Sequence, residues 1–178
     1  MSPLPQMDQV IDYARHPLRS ERLDVVLCAR ARFLLGNTSG LFLVSTAFGV
    51  PCALANMIPM SVLAPCRRDI SVPKLLYHQR EQRMLRFGEV LGSPLGNYRY
   101  AKLYADDGIV PVENTPDEIL ELVREMLDRL EGRFEETDED RKLQERFMKL
   151  LQPGHYSYGA ASRMGAAFLR KYRHLLEH

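Results

Sequence analysis

A chain of 178 residues, 46% apolar and 26% charged, can fill one core, or one domain with a helical extension, but is cramped for two independent domains. Its 24 lysines and arginines nearly cancel its 23 aspartates and glutamates, so no field of one sign covers it as on a nonspecific nucleic-acid binder. Cys28, Cys52 and Cys66 form no CxxC pair and have no histidine at metal-ligand spacing, which points to a reduced, cytoplasmic protein with no metal site and with Cys28 and Cys52, in apolar runs, buried as small hydrophobes.

Met1 to Pro5 has neither a basic nor an apolar leader segment, so no export signal is expected. Val10 to Tyr13 predicts a short strand, and Ser20 caps a helix through about Arg30 with Leu23, Val26 and Leu27 at helical spacing. Arg32 to Leu35 is a brief apolar run ending in Gly36, and Ser39 to Phe48 is a helix-length segment stopped by Gly49. Pro51 to Ala55 reads as a strand buried on both faces. The nearly uncharged stretch from Leu41 to Val62 approaches the roughly twenty residues of a membrane span. Gly49, Pro51, Asn56 and Pro59 nevertheless divide it into helix, strand and loop, so no transmembrane segment is expected.

Met57 to Pro73 is rich in proline and predicts a long loop carrying Arg67, Arg68 and Asp69. Helical periodicity around Leu85, Phe87, Val90 and Leu91 follows, closed by a turn at Ser93 to Asn97. Ile109 to Val112 is a strand whose Pro111 suggests a sheet edge. Thr115, Pro116, Asp117 and Glu118 form a strong helix start, and the helix runs to about Leu130 with Gly132 as its stop. Beyond it, helices are expected to about Leu151 and from about Ala160 to Leu176, giving an all-helical tail. The alternation predicts an α/β fold: a Rossmann-like parallel sheet with helices on both faces over residues 1–132, plus a helical C-terminal extension over 133–178.

In such sheets ligands bind beyond the carboxyl ends of the strands. Gly36, Asn37, Thr38, Ser39 and Gly40 stand at one such end, where glycines let backbone approach a phosphate and the hydroxyls of Thr38 and Ser39 can donate to its oxygens. The same stretch also reads as an ordinary Ser/Thr helix cap with a glycine turn, and it matches neither the phosphate loop ending in Gly-Lys-Ser/Thr nor GxGxxG. Asn56 is expected at the same rim, as a ligand to base, ribose or sugar or as a turn residue bonding its own backbone. Arg67, Arg68 and Lys74, with Asp69, form a third group that either neutralises a diphosphate or solvates the surface. His16, His78 and His155 are scattered, and Asp12, Asp24, Glu81 and Glu89 have no spacing that marks an acid or base, so no catalytic residue is assigned.

The run Cys28-Ala29-Arg30-Ala31-Arg32-Phe33-Leu34-Leu35-Gly36-Asn37-Thr38-Ser39-Gly40, continuing through Phe48-Gly49-Val50-Pro51-Cys52-Ala53-Leu54 to Asn56 and Pro59, resembles a family of bacterial surface-polysaccharide glycosyltransferases. Asp69-Ile70-Ser71-Val72-Pro73-Lys74-Leu75, Asn114-Thr115-Pro116-Asp117-Glu118-Ile119 and Phe168-Leu169-Arg170-Lys171-Tyr172 extend the match over almost the whole chain. The resemblance implies the carboxyl-terminal, donor-binding half of a GT-B enzyme, with Gly36, Asn37, Thr38, Ser39 and Gly40 at the donor phosphate and Asn56 and Lys74 as neighbours. It also implies a nucleotide-diphosphate sugar as donor substrate with no separate cofactor, a glycan or lipid-linked acceptor, and an N-terminal GT-B domain or separate subunit that carries acceptor binding. A nucleotide-sugar epimerase-like enzyme and a non-catalytic subunit binding nucleotide or a partner protein are the alternatives.

Overall fold

The computed structural model describes residues 3–177. Ser20 caps α1 (Glu21–Arg30) by accepting from the Leu23 amide at 3.2 Å. The strand expected at Val10 to Tyr13 does not form. Val10 and Ile11 are exposed and only a 3-10 turn, Tyr13–Arg15, follows, because no neighbouring strand is within reach to pair with them.

β1 (Leu34–Gly36), α2 (Leu41–Ala47) and β2 (Cys52–Met57) come next. Gly49 ends the second of these at φ +71°, a conformation that side-chain-bearing residues rarely adopt. The stretch expected to be one long loop contains β3 (Ile70–Pro73), every residue of which is buried. The segment with helical periodicity holds β4 (Leu75–His78), β5 (Arg83–Met84) and only a short helix, α3 (Phe87–Leu91). After α4 (Ala101–Asp106) come β6 (Ile109–Val112) and α5 (Pro116–Leu130), the latter opened by the expected capping box of Thr115 and Glu118. α6 (Asp138–Leu150) begins the tail, but β7 (Arg163–Met164) interrupts the helix expected from Ala160, leaving α7 (Ala166–Lys171) and a 3-10 turn.

The protein is therefore α/β with two sheets: a parallel one in the order β1-β2-β3-β7 and an antiparallel one in the order β5-β4-β6. Pro111 lies in an edge strand of the second, where a missing N–H costs no ladder bond. Alternate residues of β2 serve opposite faces of the first. Cys52 and Leu54 pack with Phe42 of α2, whereas Ala53 and Ala55 join the larger core with Leu122 and Met126 of α5, so helices cover both faces. Among the described residues, no helix is long and apolar enough to cross a membrane.

Residues 133–177 contribute to this larger core. β7 pairs with β3, and Phe147 of α6 lies fully buried with its ring edge-to-face against Phe87 at 5.5 Å. Glu118, at the amino end of α5, accepts from Lys171 Nζ at 2.6 Å, Tyr172 Oη at 2.5 Å and the Thr115 amide at 2.9 Å. Burial pushes its carboxyl upward, but these donors outweigh burial and hold it below the ordinary glutamate range.

Two outcomes follow for stability. Replacing Phe147 with alanine should lower the urea-unfolding free energy by about 3–5 kcal/mol, in one transition seen alike by probes in both halves of the chain. Because the Glu118 pKa is depressed on folding, its contribution is complete above the unfolded value of 4.5 and is lost as pH falls through the lower folded value. Acid titration of stability should therefore be shallower in Glu118→Gln than in the parent.

Candidate functional site

Parallel register carries the ends of three strands to one rim. Gly36 pairs with Leu54, and Met57 with Pro73, so the residues that follow β1, β2 and β3 emerge side by side. Asn37, Thr38, Asn56, Ile58, Lys74 and Glu113 line one pocket of about 250 Å³ there. A second, of about 300 Å³, adjoins it through Asn37 and Asn56 and is walled by Gly36, Ser39, Leu41 and Ile119 among others. Gly40 is the remaining residue of the expected set, and it is exposed as the N-cap of α2. The glycine-flanked turn thus lies open on the carboxyl rim, together with Asn56 and Lys74.

Hydrogen bonds decide which groups remain available. The Thr38 hydroxyl accepts from the Ile58 amide at 3.1 Å and lies 3.7 Å from the Met57 sulfur, so it stitches the β1–α2 loop to the end of β2. The Ser39 amide donates to the Asn37 carbonyl at 2.7 Å. The helix begins at Leu41, later than the expected Ser39, and no side chain caps it. Neither glycine of the turn is demanded by packing: a Cβ at Gly40 would meet nothing within 4 Å, and one at Gly36 would make ordinary contacts of 3.5 Å or more. The space at Gly40 is open, whereas a Cβ at Gly36 would turn toward Leu34 and the buried Leu54.

Asn56 adopts φ +55°, a left-handed conformation that asparagine tolerates better than most residues. It is held there by Asn114. The Asn56 amide donates to Asn114 Oδ1 and the Asn114 amide donates to Asn56 Oδ1, each at 2.6 Å, while Asn114 Nδ2 donates to the Pro73 carbonyl at 2.9 Å. With its oxygen used in this way, Asn56 keeps Nδ2 donors that have no protein acceptor among the described residues, and the residue lines both pockets.

Lys74 is the link between β3 and β4, where the chain leaves one sheet for the other. Antiparallel register pairs Leu75 with Val112, setting Lys74 opposite Glu113, and Nζ meets Oε1 at 2.5 Å. Neither Glu113 nor Asn114 is expected at the site from sequence, although Asn114 heads the motif that opens α5. Their only sequence signal is position, at the end of a strand and just before a capping box.

The third group does not hold together. Arg67 and Arg68 precede β3 and Lys74 follows it, so a whole strand separates them and the arginines lie at the amino rim. Asp69 is fully buried and structural, accepting from the Cys52 amide at 2.8 Å and the Cys66 amide at 2.9 Å. The Cys52 thiol is pushed up to about 11 by burial and by the Asp69 carboxylate, which leaves it unreactive. Glu89 is clasped by Arg83 at 2.7 and 2.8 Å and is held at about 2, chiefly by those hydrogen bonds, so it is a poor general base.

No protein-family model matches the chain, and no curated protein or solved structure is significantly similar to it.

The Asn56–Asn114 lock has a direct test. Asn114→Ala removes the acceptor for a backbone amide and the donor to a carbonyl, and should destabilise the protein by about 1–3 kcal/mol. Chemical denaturation measures the loss, and unchanged stability would show that water replaces both bonds.

Proposed function

We propose that the paired pockets bind the diphosphate and adjoining sugars of a nucleotide-sugar, and that the chain is the Rossmann-like donor-binding part of a GT-B glycosyltransferase of surface-polysaccharide synthesis. One observation carries this reading. The carboxyl ends of three parallel strands and the residues just after them, distant in sequence, bring Asn37, Thr38, Asn56 and Lys74 to a single groove at the carboxyl rim, the position at which α/β sheets take their ligands.

The chemistry of the groove suits an anion that carries hydroxyl groups. Lys74 supplies the positive charge, and Asn56 and the Gly40 turn supply neutral donors. The Glu113 carboxylate can accept from vicinal hydroxyls of ribose or sugar. Without ligand Glu113 neutralises Lys74, but its side chain is 65% exposed whereas that of Lys74 is 20% exposed. The glutamate is therefore the partner free to swing aside when a phosphate takes the ammonium.

In glycosyl transfer the bond from the anomeric carbon to the diphosphate oxygen breaks and negative charge grows on the departing phosphate. Donors fixed before that charge appears stabilise it without reorganising. α2 is only seven residues long, so its macrodipole is weak and the oriented donors and Lys74 carry the stabilisation. Leu35 and Leu41 of the groove wall are exposed apolar side chains. They support a second domain or chain closing over this face and bringing the acceptor.

Isothermal titration against a panel of nucleoside diphosphates tests the proposal. At least one should bind saturably, and Gly40→Asp should weaken that binding about tenfold or more, roughly 1.4 kcal/mol per decade. The new side chain fits without clash at φ −59°, so the loss reports charge at the groove mouth. A folded parent that binds none of the panel would overturn the assignment.

A further inference from the structure

Arg67, Arg68, Arg129 and Arg163 come from three parts of the sequence and line one cavity of about 250 Å³. Arg67 and Arg68 lead into β3, and Arg163 opens β7 beside Ile70. Arg129 sits in the last turn of α5. Ile70, Met126 and Leu130 provide an apolar floor. The cavity is at the amino rim of the parallel sheet, on the side away from the groove that Asn37 and Lys74 line.

Two of the guanidiniums are held in place. Arg129 bonds Glu125 at 2.8 to 2.9 Å and stacks 3.9 Å above the Phe134 ring, which fixes its plane. Arg163 pairs with Glu136 through one terminal nitrogen, yet its Nε is buried with no acceptor. Burial and the neighbouring Arg129 both disfavour its charge, as expected of a cation short of a counter-anion. Arg67 and Arg68 are exposed and form no ion pair among the described residues. Asp69 accepts from backbone amides through both oxygens and makes no ion pair with either arginine, but its carboxylate still interacts with Arg68 through space. Glu125, Glu136 and Asp69 offset three of the four arginines, which leaves one in excess.

We propose that this cluster is a second anion site, built for a compact phosphate-bearing ion of the pyrophosphate type. Guanidinium forks engage phosphate oxygens in pairs. The cavity falls below the roughly 300–1,000 Å³ usual for larger ligands, which selects a small ion over a nucleotide. The site stands apart from the donor groove and does not depend on what that groove binds.

Titration of the full chain with inorganic pyrophosphate, followed by calorimetry and by amide shifts in nuclear magnetic resonance, tests this. Saturable binding should shift the amides of Arg67, Arg68, Ile70 and Arg163. The double variant Arg67→Ala/Arg68→Ala alters exposed side chains only and should fold; its affinity should fall about tenfold or more for two lost charge-assisted contacts. Gly40→Asp, which alters the other rim, should leave the pyrophosphate-induced shifts of Arg67, Arg68, Ile70 and Arg163 as in the parent. Binding that the double variant retains, or shifts confined to the Asn37 and Lys74 loops, would overturn the proposal, as would no saturable binding at all. Pyrophosphate bound at the arginines in a protein that binds no nucleoside diphosphate would leave this site standing and remove only the donor groove.

Discussion

The candidate groove depends on a reciprocal pair of asparagines. Asn56 and Asn114, 58 residues apart, each satisfy the other's backbone amide, and Asn114 also binds the Pro73 carbonyl. These bonds tie the end of β2 to the end of β3 and to the loop that opens α5. Buried amides left without such partners would cost free energy, so the three loops are fixed relative to one another before any ligand arrives. The left-handed Asn56 is tolerated because the lock determines its conformation. Its side-chain nitrogen is left without a protein acceptor among the described residues, in a residue that lines both pockets.

β3 divides the protein's cations. Its carboxyl end delivers Lys74 to a groove where an opposing carboxylate, Glu113, balances it. Its amino end is flanked by Arg67, Arg68 and Arg163, where cations exceed acids. A single short strand thus separates an electrically balanced surface from an unbalanced one. Balance suits a ligand that brings hydroxyls as well as phosphate, and excess suits a bare anion.

The tail fixes this arrangement. β7 completes the parallel sheet beside β3 and brings Arg163 to the amino rim, while Phe147 and Phe168 pack around Phe87. Glu118 joins the start of α5 to the end of α7 through Lys171 and Tyr172. Each of these contacts spans a long stretch of sequence. The position of the helix that follows the Asn114 loop is therefore secured by residues at the far end of the chain.

By itself the sequence determined what local rules govern. The Ser20 and Thr115 caps, the stops at Gly49 and Gly132, the β1 to β2 alternation and the edge placement of Pro111 all follow from dihedral preference, hydrogen-bond capacity and short-range periodicity. Gly36, Asn37, Thr38, Ser39, Gly40 and Asn56 could be assigned to one rim because parallel strands share a direction. Tertiary structure alone decided the rest. Two- to four-residue strands such as β3, β5 and β7 carry too little pattern to distinguish them from loop or helix, and exist only because a neighbour pairs with them. The separation of Arg67 and Arg68 from Lys74, and the meeting of Lys74 with Glu113 and of Asn56 with Asn114, depend on which strands adjoin, a relation between residues far apart in the chain that no local signal encodes.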